Sequence, residues 1–163
     1  MRIQSLLFGV LIMSLLSGCG FQLRGSQTLP ATWGKVAVVA EANVNPSLVT
    51  SVRNLWKTQG VQLTNNAAAD TYIILISDST QRRVLSRDEQ GRDLELEIQQ
   101  RLEYRVENKE GDSVLPTQSV QRTRNFVNNV NNVLGTSGEE QTVRDELTQE
   151  LANTLLRRLS VSR

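Results

Sequence analysis

The chain of 163 residues contains no histidine and a single cysteine. Without an imidazole it cannot build the Ser-His or Cys-His pairs of nucleophilic catalysis, or a histidine-based zinc site. One cysteine closes no internal disulfide and supports no multi-thiolate metal cluster. No metal or cofactor is expected. An excess of charge is lacking too: 18 Lys+Arg against 17 Asp+Glu give a net charge of +1, without the basic surplus of a nucleic-acid binder. The length suits one domain with a core of ordinary size. Composition argues against most enzyme classes and leaves the role of the lone cysteine to be explained.

The N-terminus supplies a role. Met1-Arg2 sets a positive charge ahead of the apolar run Leu6–Met13, and Ser14-Leu15-Leu16-Ser17-Gly18 leads into Cys19. A basic start, a short apolar stretch and a small-residue cleavage region make an export signal. The stretch Ile3–Leu16 falls short of the roughly 20 residues that a spanning helix requires. Leu16-Ser17-Gly18-Cys19 resembles a bacterial lipobox. The resemblance implies cleavage before Cys19, a thioether-linked diacylglycerol on its sulfur, and an acylated amino group. One acyl chain binds a membrane only marginally, whereas two or three anchor durably. A buried core cysteine is the alternative, but it needs no such flanks. In enterobacterial-type sorting, Gly20 rather than Asp after the cysteine favours the outer membrane. The expected organisation is a signal peptide over 1–18, a lipidated tether over 19–34 and a single domain over 35–163, facing the periplasm. Loss of Arg2 with the signal leaves a mature chain of zero net charge.

Within the domain, Lys35–Ala40 is a continuous apolar run of strand length. Asn45-Pro46 supplies an N-cap and a proline for the first helical position, and Gly60 a stop. Leu48, Val52, Leu55 and Trp56 fall on one face between them, which predicts a helix over 46–59. Thr71–Ile76 is rich in β-formers and continues through Gln81–Leu85 to a turn at Asp88–Gly91. Then Leu94, Leu96, Ile98, Leu102, Tyr104 and Val106 alternate with Glu95, Glu97, Gln99, Arg101, Glu103, Arg105 and Glu107. That alternation predicts a strand with one buried and one wet face. Glu110-Gly111-Asp112 turns the chain into a fourth strand over 114–127. Ser137 and Glu140 form a capping-box pattern. Val143, Leu147, Leu151, Leu155 and Leu159 step by four down one stripe, with acidic residues early and Arg157 and Arg158 late, matching the helix dipole. A second helix is predicted over 138–159. The order βαβββα predicts an α+β two-layer fold, a four-stranded, mainly antiparallel sheet with two helices on one face.

Cys19 runs directly into Gly20-Phe21-Gln22-Leu23-Arg24-Gly25. This junction, with Val52-Arg53-Asn54 in the first helix and Gly60-Val61 at its end, resembles the LPS-assembly lipoprotein family LptE of Gram-negative bacteria. The resemblance implies the βαβββα fold and a non-enzymatic role. It implies an outer-membrane lipoprotein that plugs and helps assemble the large β-barrel LptD and binds lipopolysaccharide on its way to the cell surface. Barrel lumens are polar. The glutamate–arginine face of strand 94–106 and the asparagine-rich stretch 125–132 suit such a setting, and equally suit a solvated sheet face and a polar loop.

Lipid A carries phosphates, which arginine pairs with two parallel hydrogen bonds. Arg82, Arg83, Arg87 and Arg92 cluster about the predicted hairpin tip beside Val84 and Leu85, with Asp88, Glu89 and Asp93 to offset their field. The resemblance points to this tip as the lipopolysaccharide contact and to Arg87 as its basic residue. A second basic contact is expected of the family before the second helix, where residues 133–138 hold no Lys or Arg. Arg122 and Arg124 share one face of the fourth strand and are expected to bind anions or to pair with Glu95, Glu97 or Glu103. Other readings of the chain are a periplasmic lipoprotein adapter or an enzyme inhibitor. A glycosidase needs two carboxylates, but Glu95 and Glu97 lie on a flat wet face with no sign of a cleft.

Overall fold

The computed structural model describes residues 28–128 and 133–162. The order is β1 (Val36–Asn43), α1 (Pro46–Thr58), β2 (Thr71–Arg87), β3 (Asp93–Asn108), β4 (Ser113–Val127) and α2 (Val133–Ser160), with short 3-10 turns at Ala31–Trp33 and Asn66–Ala68. The strands lie side by side in chain order. β1 pairs β2 in parallel, as its α1 crossover demands, and the remaining pairs are antiparallel. This is the two-layer α+β architecture expected, with order βαβββα.

Local chemistry accounts for the boundaries. Asn45 caps α1 by accepting from the Ser47 N–H at 2.9 Å, and Pro46 occupies the first turn. Gly34, at φ 60°, passes so close to Asp70 that a Cβ there would meet its Oδ2 at 2.7 Å. The same carboxylate accepts from the Lys35 N–H at 3.0 Å, which fixes the entry into β1. Trp33, in the segment read as tether, is buried in the core. One boundary differs from expectation. α2 starts at Val133, so Ser137 lies inside the helix and the capping-box pattern does not mark its first turn. Residues 133–138 contain no proline, and a glycine inside a helix costs only about 1 kcal/mol, so nothing there stops the helix.

The elements have unequal lengths. β2, with 17 residues, is roughly 55 Å long. α1, with 13 residues, covers only about 20 Å, while α2, with 28, covers about 42 Å. Both helices therefore pack side by side over one end of the sheet, α1 against β1 and α2 against β3 and β4, and α2 alone runs on toward the β2–β3 turn. The core divides accordingly. A proximal cluster joins both helices to Val36, Val38, Ile73, Leu75, Leu102, Tyr104 and Val106. A distal cluster holds only Leu96, Ile98, Phe126, Val143 and Leu147. Polar contacts lie between the two: Gln100 Nε2 donates to Thr148 Oγ1 at 3.2 Å, and Arg122 Nε donates to Thr154 Oγ1 at 2.9 Å.

Every member of the predicted leucine stripe on α2 is buried. In α1, Trp56 is fully buried, and its indole N–H donates to the Ala152 carbonyl of α2 at 3.0 Å. Leu155→Ala is expected to lower unfolding free energy by about 2–5 kcal/mol, read from urea denaturation. Native-state hydrogen exchange should show the β3 amides at 96–99 opening at lower free energy than those at 102–106. Equal protection along β3 would contradict a divided core.

Candidate functional site: the arginine hairpin and the bare sheet face

The tip of the β2–β3 hairpin is organised by Asp88. Its Oδ1 accepts from the Gln90 N–H at 3.0 Å and the Arg92 N–H at 2.9 Å, and its Oδ2 accepts from Arg92 Nε at 2.7 Å. Gly91 takes φ 77°, a left-handed conformation for which glycine carries no steric cost. These donors hold the Asp88 carboxyl below the ordinary range, the Arg92 N–H contributing most and the Arg92 guanidinium adding to it, against an opposing effect of burial.

Only two of the four predicted arginines converge. Arg87 Nε donates to Asp93 Oδ1 at 3.1 Å, and Arg82 Nη2 lies 3.7 Å from Asp93 Oδ2. Arg82 also lies 3.6 Å from Glu140 of α2. Arg83, the next residue along β2, points to the opposite face, as strand alternation requires, and pairs with Glu97 at 2.9 Å. Arg92 folds back on Asp88. Each tip arginine therefore meets a carboxylate, yet the Arg87 side chain stays 62% exposed and within reach of a ligand. Leu85, Leu94 and Val127 are exposed at the same end of the sheet. Alternation alone placed Leu94 in the core. It lies beside the turn, past the buried Leu96, while Leu85, next to the core-packed Val84, faces outward by strand alternation. The tip thus joins guanidinium groups to apolar surface.

The face of the sheet opposite the helices is the wet face read from β3. Arg101 pairs with Glu103 at 3.0 Å, and Arg105 bridges Glu41 and Glu107 at 2.7 Å each. Exposed pairs of this kind contribute little to stability; their result is a polar surface on which each arginine named is ion-paired, with three carboxylates to two guanidiniums. The asparagine-rich stretch starts as strand, not loop. Phe126 is buried, and Asn128 donates from Nδ2 to the Asp93 carbonyl at 2.7 Å. Residues 129–132 lie outside the described residues, as does Cys19.

Two sequence expectations change. Arg122 and Arg124 do not face Glu95, Glu97 or Glu103. They lie on the helix side of β4, where Arg122 reaches Thr154 and Arg124 pairs with Glu146 and Glu150 of α2. Residue parity within β4 gives the reason. Arg122 and Arg124 share the face of the buried Val120 and Phe126, a face that the absence of alternating apolar residues at 122 and 124 concealed. Residues 133–138, expected as a loop, belong to α2.

The depressed Asp88 pKa carries a pH dependence. Its turn-stabilising contribution is present above the unfolded value near 3.8 and is lost as pH falls through the lower folded value. In an NMR titration, the Gln90 and Arg92 amides should therefore hold their shifts through pH 3.8 and move only below it. A midpoint at or above the ordinary value would contradict the assigned donors.

Comparison with known proteins agrees with this architecture. The LptE lipopolysaccharide-assembly family matches residues 33–159. The LPS-assembly lipoprotein LptE of Photorhabdus laumondii is 28% identical over 159 residues, spanning 97% of this chain and 85% of that protein. Its counterpart of the same name from Pectobacterium atrosepticum is 26% identical over 160 residues, again spanning 97% and 85%. The solution NMR structure of lipoprotein B from Nitrosomonas europaea shares the fold. Its TM-score is 0.71 at 22% identity, covering 86% of this chain and 90% of that one. With the family matched from the buried Trp33 to the last leucine of the α2 stripe, the chain belongs to the LptE lipopolysaccharide-assembly family.

Proposed function

We propose that this chain is a lipoprotein anchored in the outer membrane through acyl chains on Cys19. In that position it plugs and helps assemble an LptD-type β-barrel and binds lipopolysaccharide in transit. The observation that carries this reading is the elongated sheet with one uncovered face of ion-paired arginines and glutamates. At roughly 55 Å its longest strand exceeds the 40–45 Å of a bilayer with its headgroups. A barrel lumen is polar, and a face dominated by Arg–Glu pairs is polar enough to meet such a wall. Family membership in lipopolysaccharide assembly supports the same direction.

Lipopolysaccharide contact is assigned to the hairpin tip, with Arg87 and Arg82 as phosphate donors and Arg83 and Arg92 as flanking charges. Leu85, Leu94 and Val127 offer apolar contacts nearby. In this reading Asp93 competes with the phosphate for both convergent guanidiniums. Arg87→Asp should weaken lipopolysaccharide binding by about tenfold or more, the scale of one lost charge-assisted hydrogen bond. Asp93→Asn should strengthen it. Unchanged binding in a folded Arg87→Asp protein would remove the tip from the mechanism.

The barrel partnership is tested by pull-down from detergent-solubilised outer membrane, where one very large β-barrel protein should co-purify with the chain. Its absence would overturn the plug reading. Cys19→Ala should leave the domain folded and, in cells lacking the barrel, release it from the membrane fraction.

A further inference from the structure

α1 begins midway along the sheet, where the Asn45 backbone N–H donates to Asp78 Oδ1 at 2.6 Å. Beyond that point α2 runs on alone. The gap beside it opens into a cleft of about 470 Å³, floored by Asp78, Thr80 and Gln100. Ser47 and Ser51 of α1 form one wall, and Gln141, Thr148 and Gln149 of α2 the other. This volume lies within the usual range for small-molecule sites, but the lining is polar, with Leu48 its one apolar side chain.

The character of that lining selects a ligand class. The side chains of Ser47, Ser51, Thr80 and Gln149 make no hydrogen bond among the described residues, so their donors and acceptors are available to a guest. Asp78 and Asp145 would repel a phosphate, and the cleft's arginine, Arg144, is held by Glu140 at 2.6 Å. An acyl chain would find only Leu48. Hydroxyls, carboxamides and carboxylates lining one concave surface instead suit a ligand that presents many hydroxyl groups, each able to donate and accept.

We propose that this cleft is a saccharide site that takes an unphosphorylated stretch of the sugar chain of lipopolysaccharide. The inference rests on the lipopolysaccharide-binding reading above and extends it from the tip to a second point. Thr80 and Asp88 are eight residues apart on β2 and its turn, roughly 25 Å along the strand. The cleft and the tip thus lie on one molecule at a spacing that lets them hold the glycan and the phosphorylated end of one ligand.

The experiment titrates the isotopically labelled, detergent-solubilised lipoprotein separately with two probes, whole lipopolysaccharide and its core oligosaccharide freed from lipid A by mild acid. The oligosaccharide should shift the amides of residues 47–51 and 148–149 and leave 87–92 in place. Thr80→Ala combined with Gln149→Ala, both at exposed positions, should reduce oligosaccharide affinity about tenfold. Ser51→Leu, which fills the cleft, should do the same should the double variant lose its fold. If whole lipopolysaccharide shifts the tip while the oligosaccharide leaves the cleft unmoved, the saccharide site is refuted and the function proposed above stands. If neither probe shifts any amide, both fall. Shifts at 47–51 and 148–149 on adding a purified barrel partner, with none from the oligosaccharide, would make the cleft a protein contact and overturn the proposal.

Discussion

The structure depends on the burial of one leucine stripe. Leu147, Leu151, Leu155 and Leu159 of α2 are all buried against β3, β4 and α1, and α2 is the helix that covers both hydrophobic clusters. Each such side chain contributes roughly 1.5–3 kcal/mol of burial, a large share of the marginal stability of a domain this size. Because α2 is long enough to follow the hairpin, β2 and β3 can extend well past the reach of α1 and remain a sheet. Remove that cover and the distal hairpin becomes a two-faced polar ribbon, marginal in water by itself. The extended tip with its arginines is therefore a consequence of helix length.

The uncovered face follows from the same arrangement. Two helices on one side leave the other side to solvent or to a partner, and its arginines are each paired with glutamate. Arg105, held between Glu41 and Glu107, has its proton bound more firmly than usual, the Glu107 hydrogen bond contributing most. A guanidinium so placed stays charged at any physiological pH. On the helix side, Arg122 and Arg124 stitch β4 to α2 instead of to the neighbouring strand. Arginines of neighbouring strands thus do different work, depending on which side of the pleat they occupy.

Much of this was legible in the sequence. The period-two pattern of β3, the period-four stripe of α2 and the Asn45-Pro46 start each report one dominant local interaction, and each is found where expected. The start of α2 was not legible, because Ser137 and Glu140 form a capping pattern that the longer helix overrides. Nor was the cleft between the helices, which arises from the difference in length between α1 and α2 and from the register of β2, neither of which is a local property. The arginines at the tip were legible as a group but not as pairs. Whether Arg82 and Arg83 act together depends on the alternation of β2, and the structure sends them to opposite faces.

That separation defines how the tip can work. Arg82 and Arg87 share the Asp93 carboxylate at contact distances of 3.7 and 3.1 Å, and Arg82 also reaches Glu140 at 3.6 Å, so two carboxylates face the two guanidiniums before any ligand arrives. A monovalent anion gains little by displacing Asp93, since it replaces one carboxylate with an equivalent charge. A phosphate monoester carries more charge and offers three acceptor oxygens to the two guanidiniums. Exposed Leu85, Leu94 and Val127 add contact area that a free phosphate ion cannot use. In the lipopolysaccharide contact proposed here, the pairing with Asp93 would therefore select against small anions in favour of a ligand that combines multiple phosphate oxygens with an apolar body, the chemistry of a phosphorylated glycolipid.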